Sequence, residues 1–119
     1  MNKNENQILK LTFEFALDII EFVEILEIKK KFVIANQLLK SGTSIGSNSR
    51  EAQNAESKAD FIHKFKIAAK EADETEYWLL LCLHSKNYPD PSYLFPKLNS
   101  IIALLNSIIG TTKTRYKVK

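Results

Sequence analysis

The sequence holds one cysteine, three glycines, three prolines and two histidines among 119 residues. A single thiol, Cys82, excludes an internal disulfide framework and any zinc site built from cysteines. Six turn-formers are too few for a sandwich or barrel with many tight turns, so long helices are the simplest alternative. No apolar run approaches the roughly 20 residues of a membrane span, and no membrane partner is expected. Residues 1–7 are polar and lack the apolar stretch of a secretory signal, which makes a cytoplasmic location the expectation. What remains is 45% hydrophobic and 26% charged residues, the make-up of one soluble globular domain over 1–119. A chain of this length buries roughly two-thirds of its unfolded surface, enough for one core.

The net charge of +3 hides an alternation. Residues 1–28 balance at −4, 29–50 at +5, 51–76 at −3 and 77–119 at +5. A basic strip can attract phosphates by releasing counterions. Alternatively, successive helices of opposite sign attract each other or a neighbouring subunit. Residues 113–119 (KTRYKVK) carry four bases and no acid, and suit either a nucleic acid backbone or solvent.

Four segments show helical periodicity. The first, 5–28, repeats apolar positions at Ile8, Leu11, Phe15, Phe22 and Ile25, with Asp18 on the same stripe and Thr12, Ile19 and Leu26 beside it. The second, 32–54, carries Ile34, Leu38, Ser41, Ile45, Asn48 and Ala52 on one heptad face, among Gly42, Thr43, Ser44, Gly46, Ser47 and Ser49. Such a stretch can be read as a loop. The unbroken heptad favours a helix whose small residues let another backbone come close. Asn48 on that face then needs a partner, since an unsatisfied buried amide costs roughly 1–3 kcal/mol.

The third segment, 58–85, opens with Ser57 and Asp60 in a capping-box spacing and continues through Phe61, Phe65, Ala68, Ala72, Thr75, Leu79 and Cys82. Asn87-Tyr88-Pro89-Asp90-Pro91 breaks the chain. The fourth, 92–112, has Ser92 as a candidate N-cap, Pro96 in the first turn and Gly110 as a candidate end. Its stripe is Leu94, Leu98, Ile101, Leu105, Ile108 and Thr112. Four amphipathic helices with short connections predict an all-α, antiparallel up-down-up-down four-helix bundle.

The inventory for catalysis is thin. A di-iron carboxylate bundle needs Glu-x-x-His on two helices, and the nearest match is Asp60-x-x-His63, once. His84 near a helix end has an ordinary explanation in the helix dipole. Cys82 lies on the apolar stripe with no histidine one turn away, which predicts a buried, inert thiol. The Ser/Thr-rich run at 41–49 lacks the spacing of a phosphate loop. No catalytic residue, metal, cofactor or small-molecule substrate is expected. Tyr77 and Trp78 fall off the stripe of their segment, and with Leu80, Leu81 and Leu83 they make that end apolar nearly all round. A helix of that kind needs cover on more than one side, so Tyr77 and Trp78 are candidate contacts with a second copy of the chain.

The run Ser44-Ile45-Gly46-Ser47-Asn48-Ser49-Arg50-Glu51, then Ser57-Lys58-Ala59-Asp60-Phe61, Ile67-Ala68 and the pair Glu74 and Glu76, resembles a known family. It is that of the four-helix-bundle proteins encoded in bacterial 23S rRNA intervening sequences. Structurally that family extends to the accessory variability-determinant proteins of diversity-generating retroelements. The resemblance implies a ring-like homopentamer without catalysis, and RNA or a nucleic-acid enzyme as further partner. Relatives often carry proline at Gly46, glycine at Ala52 and arginines at Ala55 and Glu56; losing those arginines removes positive charge at the second interhelical turn. Asn48, Arg50, Glu51, Glu74 and Glu76 are the candidate polar network between helices two and three. Lys29, Lys30, Lys31, Lys40, Lys113, Arg115, Lys117 and Lys119 are the candidate nucleic-acid contacts. The competing expectation is a protein-interaction module with no nucleic-acid binding.

Overall fold

The computed structural model describes residues 2–117, with side chains described through Thr114. Four helices run α1 (Lys3–Ile28), α2 (Phe32–Ala52), α3 (Lys58–His84) and α4 (Phe95–Lys117), with a 3-10 turn at Ser92–Leu94 ahead of α4. Each helix packs on its two neighbours in cyclic order, α1 on α2 and α4, α3 on α2 and α4. The result is an antiparallel up-down-up-down bundle, 54 × 22 × 20 Å. One apolar cluster, contributed by all four helices, fills its axis.

The helix ends follow from local chemistry. Asn2 caps α1 by accepting from the Glu5 amide at 2.9 Å. Ser57 accepts from the Asp60 amide at 3.0 Å, and Asp60 Oδ2 accepts from the Glu56 amide at 3.2 Å, a reciprocal cap one residue wider than the usual box. The last turn of α1 closes through Lys30 N–H to Glu27 O and Lys31 N–H to Leu26 O, with Lys30 at φ 62°. That is a Schellman ending, and it puts a lysine where glycine is favoured.

The α1 stripe is displaced from the expected one. Ile8, Thr12, Phe15, Ile19, Phe22 and Leu26 are buried, whereas Leu11 and Asp18 are half-buried and Ile25 is exposed. A 4-3-4-3-4 step fits the seam between α2 and α4 better than the expected 3-4-3-4-3. In α2, Ile34 and Asn48 sit at the margin, and Gly42, Gly46 and Ser49 take the centre with Leu38, Ser41, Ile45 and Ala52. The reading of α3 matches: Phe65, Ala68, Ala72, Thr75, Leu79 and Cys82 are buried.

Two expectations at the fourth segment are corrected. Ser92 is not a cap but the first residue of the 3-10 turn, which has Pro91 at its N-cap; Asp90 Oδ1 accepts from the Ser92 amide at 2.9 Å and from the Ser92 hydroxyl in a tight turn. Gly110 does not end the helix; α4 continues to Lys117, so the first residues of the basic stretch are helical. The expectation about membrane length also changes. By length and composition, Ser92–Thr114 is long and apolar enough to cross a bilayer, with 28% of its most apolar stretch buried in the subunit. A single helix of this kind also occurs as the core helix of a bundle, and Leu98, Ile101, Leu105 and Ile108 do face the core here.

Candidate interaction surfaces

The α1–α2 seam is set by two glycines. A Cβ at Gly42 would lie 2.9 Å from Ile19 Cγ1 and Cγ2, and one at Gly46 would lie 3.2 Å from Thr12 Oγ1. The small residues of segment two therefore bring two backbones together, as the heptad reading anticipates. Between α2 and α3 the buried polar link is a hydroxyl pair: Thr75 Oγ1 and Ser41 Oγ are hydrogen-bonded at 3.0 Å, with both residues fully buried. Thr75 also donates to the Glu71 carbonyl of its own helix.

The candidate polar network is not assembled. Asn48 Nδ2 donates to the Ser44 carbonyl within α2 at 2.9 Å. Glu51 pairs with Lys64 of α3 at 3.1 Å. Arg50 and Glu74 are exposed and Glu76 is half-buried. Among the described residues no hydrogen bond or ion pair joins any two of the five. A half-buried amide can satisfy itself on a local carbonyl and on solvent, so it needs no interhelical partner. Ser41 and Thr75 are polar residues on mainly apolar stripes, which is the signal for the true link; Asn48 carries the same signal without forming one. One turn before Thr75, the Glu71 carboxyl is pushed up from the usual carboxylate range by partial burial and by neighbouring Glu74, against the pull of Lys40 and Lys70.

The lysine candidates divide between two ends. Lys29, Lys30 and Lys31 form the α1–α2 turn. Lys31 Nζ lies 4.7 Å from the Tyr88 ring centroid, tying that turn to the α3–α4 connection, where Lys86 and His84 are exposed. Lys86 is a basic residue that the linear charge blocks do not single out; the fold brings it to the same end of the bundle as the lysine run. Lys40 sits mid-helix on the outside of α2 and acts electrostatically on Glu71. Lys113 lies near the far end of α4, so the 54 Å length of the bundle separates the two groups. Lys119 lies outside the described residues, as do the side chains of Arg115 and Lys117.

Tyr77 is 56% exposed, but Trp78 is half-buried and packs against the core cluster, contrary to the exposed position expected of it. A bundle helix flanked by two neighbours buries more than a narrow heptad stripe, and Trp78 falls in that extra width. Its indole Nε1 is buried without a hydrogen-bond partner, and no other side-chain N or O is in that state among the described residues. Uncovered apolar surface lies on α1 as well as at Tyr77, Leu80 and Leu83 of α3. Phe13 (59% exposed), Leu17 (49%) and Ile20 (41%) follow at i, i+4 and i+7 on the side away from the core.

Candidate chemistry is sparse by comparison. Cys82 is buried and its thiol is pushed up to about 11 by burial. His63 and His84 are exposed. Among the described residues no three His, Cys, Asp or Glu side chains gather as a metal cage. A cleft of about 610 Å³ opens at the end of the bundle between Asn2, Glu5, Gln53, Phe61, Ile108 and Thr112, with mixed polar and apolar walls.

Comparison with known proteins gives a family match and a structural match. A family model described as "23S rRNA-intervening sequence protein" matches residues 4–107. A crystal structure from Bacteroides thetaiotaomicron, of a protein with unknown function from the S23 ribosomal protein family, is 43% identical. It aligns over 90% of this chain and 98% of its own, with a TM-score of 0.84. No curated protein matches.

Proposed function

Because the chain belongs to the 23S rRNA-intervening sequence protein family, we propose that it is a non-enzymatic helical assembly protein that self-associates and offers a basic end to RNA. The observation carrying this reading is the uncovered stripe Phe13, Leu17 and Ile20. Aromatic and aliphatic side chains in a contiguous row outside a bundle are ordinary at subunit contacts and costly in water. A homopentameric ring is the assembly that the sequence resemblance implies. Association repeats the cluster Lys29, Lys30, Lys31 and Lys86 once per subunit, and a weak local charge becomes a multivalent one.

Backbone strain supports a role for the lysine turn. Lys30 occupies the left-handed region at φ 62°, which costs a non-glycine residue on the order of 1 kcal/mol. Glycine would relieve it and lose the charge.

A second reading, a protein-interaction module without RNA, draws on the separation of the basic groups at opposite ends. On that reading the acidic and basic helices serve only assembly. Titrating salt against binding of a structured RNA separates the two. The RNA reading predicts a linear fall of log affinity with log salt, with a slope reduced by roughly 0.7–0.9 for each phosphate-contacting lysine replaced in a K29A/K30A/K31A chain. Absence of binding at low salt leaves the assembly role alone.

A further inference from the structure

We propose that the tip joining α1 to α2 docks on an anionic lipid surface. Ile28 and Val33 enter the interface there, and the lysines between them meet headgroup phosphates. The run Ile28-Lys29-Lys30-Lys31-Phe32-Val33 sets three cations between large apolar side chains. Ile28 (80% exposed) and Val33 (78%) are the two most exposed large apolar side chains among the described residues, and Phe32 is exposed with them. A turn that met only water would be built from polar residues and glycine.

The exposure is not that of a slack loop. The last turn of α1 closes through the Lys30 and Lys31 amides at 2.9 and 2.8 Å, and α2 begins at Phe32. Lys31 Nζ is held 4.7 Å from the Tyr88 ring centroid. Among the described residues no ion pair engages Lys29, Lys30 or Lys86. Over residues 27–33 and 84–91, four lysines stand against two acids, Glu27 and Asp90. The Asp90 carboxylate already accepts from Ser92. The end of the bundle is therefore cationic, rigid and partly apolar.

Charge complementarity selects an anionic partner, and the apolar side chains select among anionic partners. RNA takes lysines on its phosphates, but its unpaired bases stack on flat aromatic or guanidinium faces. Ile28 and Val33 are branched aliphatics and have no such face. A second copy meeting tip to tip would bring like charges together. A bilayer suits both kinds of side chain at once. Lysine stems reach headgroup level while the apolar side chains pass into the acyl boundary. Each lysine near such a surface strengthens binding roughly fivefold. No spanning segment is needed for a tip that lies in the interface. The inference goes beyond the RNA reading and uses the same lysines, so lipid and RNA compete for the tip.

Cosedimentation of the full chain with vesicles tests this. Phosphatidylcholine vesicles carrying roughly one-third phosphatidylglycerol are expected to take down the wild type, and pure phosphatidylcholine vesicles are not. I28S/V33S keeps every charge and alters only exposed positions, so its circular dichroism and its binding of structured RNA stay those of the wild type. Its binding to the anionic vesicles is expected to fall at least about tenfold. V33W puts an indole at the tip, and lipids brominated on the acyl chain are expected to quench it well beyond Trp78 of the wild type. A folded wild type that stays in the supernatant with anionic vesicles overturns the proposal and leaves the RNA reading standing. Undiminished vesicle binding by I28S/V33S, or V33W left unquenched, also overturns it, because attraction to headgroup phosphates then accounts for the binding. Loss of RNA binding by I28S/V33S with vesicle binding intact overturns it in favour of RNA. Vesicle binding as expected, in a chain that binds no RNA, upholds the proposal and ends the RNA reading alone.

Discussion

Gly42 lies so close beneath Ile19 that a Cβ there would sit 2.9 Å from two of its side-chain carbons. Ile19 is fully buried and β-branched, so it cannot swing aside. The α1–α2 seam therefore has no room for a side chain at Gly42.

The first prediction follows from that contact. Gly42→Ala gains about 1 kcal/mol of helix propensity and loses more to overpacking, which costs about 1–3 kcal/mol. Net destabilisation of about 1 kcal/mol is expected in chemical denaturation. Gly46→Ala, with its tightest contact at 3.2 Å, is expected to be milder.

The Ser41–Thr75 pair gives the second. Thr75→Val keeps the shape and strands the buried Ser41 hydroxyl, costing about 1–2 kcal/mol. Adding Ser41→Ala in the same chain recovers part of the loss, and a double-mutant cycle by urea unfolding measures the coupling.

Much of the bundle was readable from the residues. The α3 stripe from Phe65 to Cys82, the Ser57 cap and the close approach at Gly42 and Gly46 all follow from spacing and residue size. The α1 stripe was displaced because Leu11, Asp18 and Ile25 fit a helical period almost as well as Thr12 and Ile19. Only contact with α2 and α4 decides between them. Gly110 reads as a stop signal, yet the flanking Ile108, Ile109, Thr111 and Thr112 carry the helix through it. Trp78 illustrates the limit at a surface, since a heptad stripe says nothing of how far a neighbouring helix wraps around it. The split of the lysines between two ends, and the company of Lys86, became visible only with the topology.

Lys30 supplies a third prediction. Lys30→Gly relieves the left-handed strain and raises stability by about 0.5–1 kcal/mol, while removing one charge from the turn. A higher melting temperature together with weaker RNA binding is expected. Equal RNA affinity in the two chains would assign the turn a purely structural role.

Glu71 sets a pH dependence. Its folded pKa is raised, so the folded state favours the protonated carboxyl. That contribution is full below the unfolded value near 4.5 and is lost as pH rises through the higher folded value. Glu71→Gln is therefore expected to stabilise the bundle at pH 7, by less than about 1 kcal/mol, and to make little difference at pH 4. Thermal melts of both chains at the two pH values check the sign.

On the proposed reading, the chain self-associates through the outer face of α1. Sedimentation equilibrium of the full chain at micromolar concentration, beside L17E, measures it most directly. A discrete oligomer of the 13.6 kDa chain is expected for the wild type and a folded monomer for L17E. A wild-type chain that sediments as a clean monomer contradicts it.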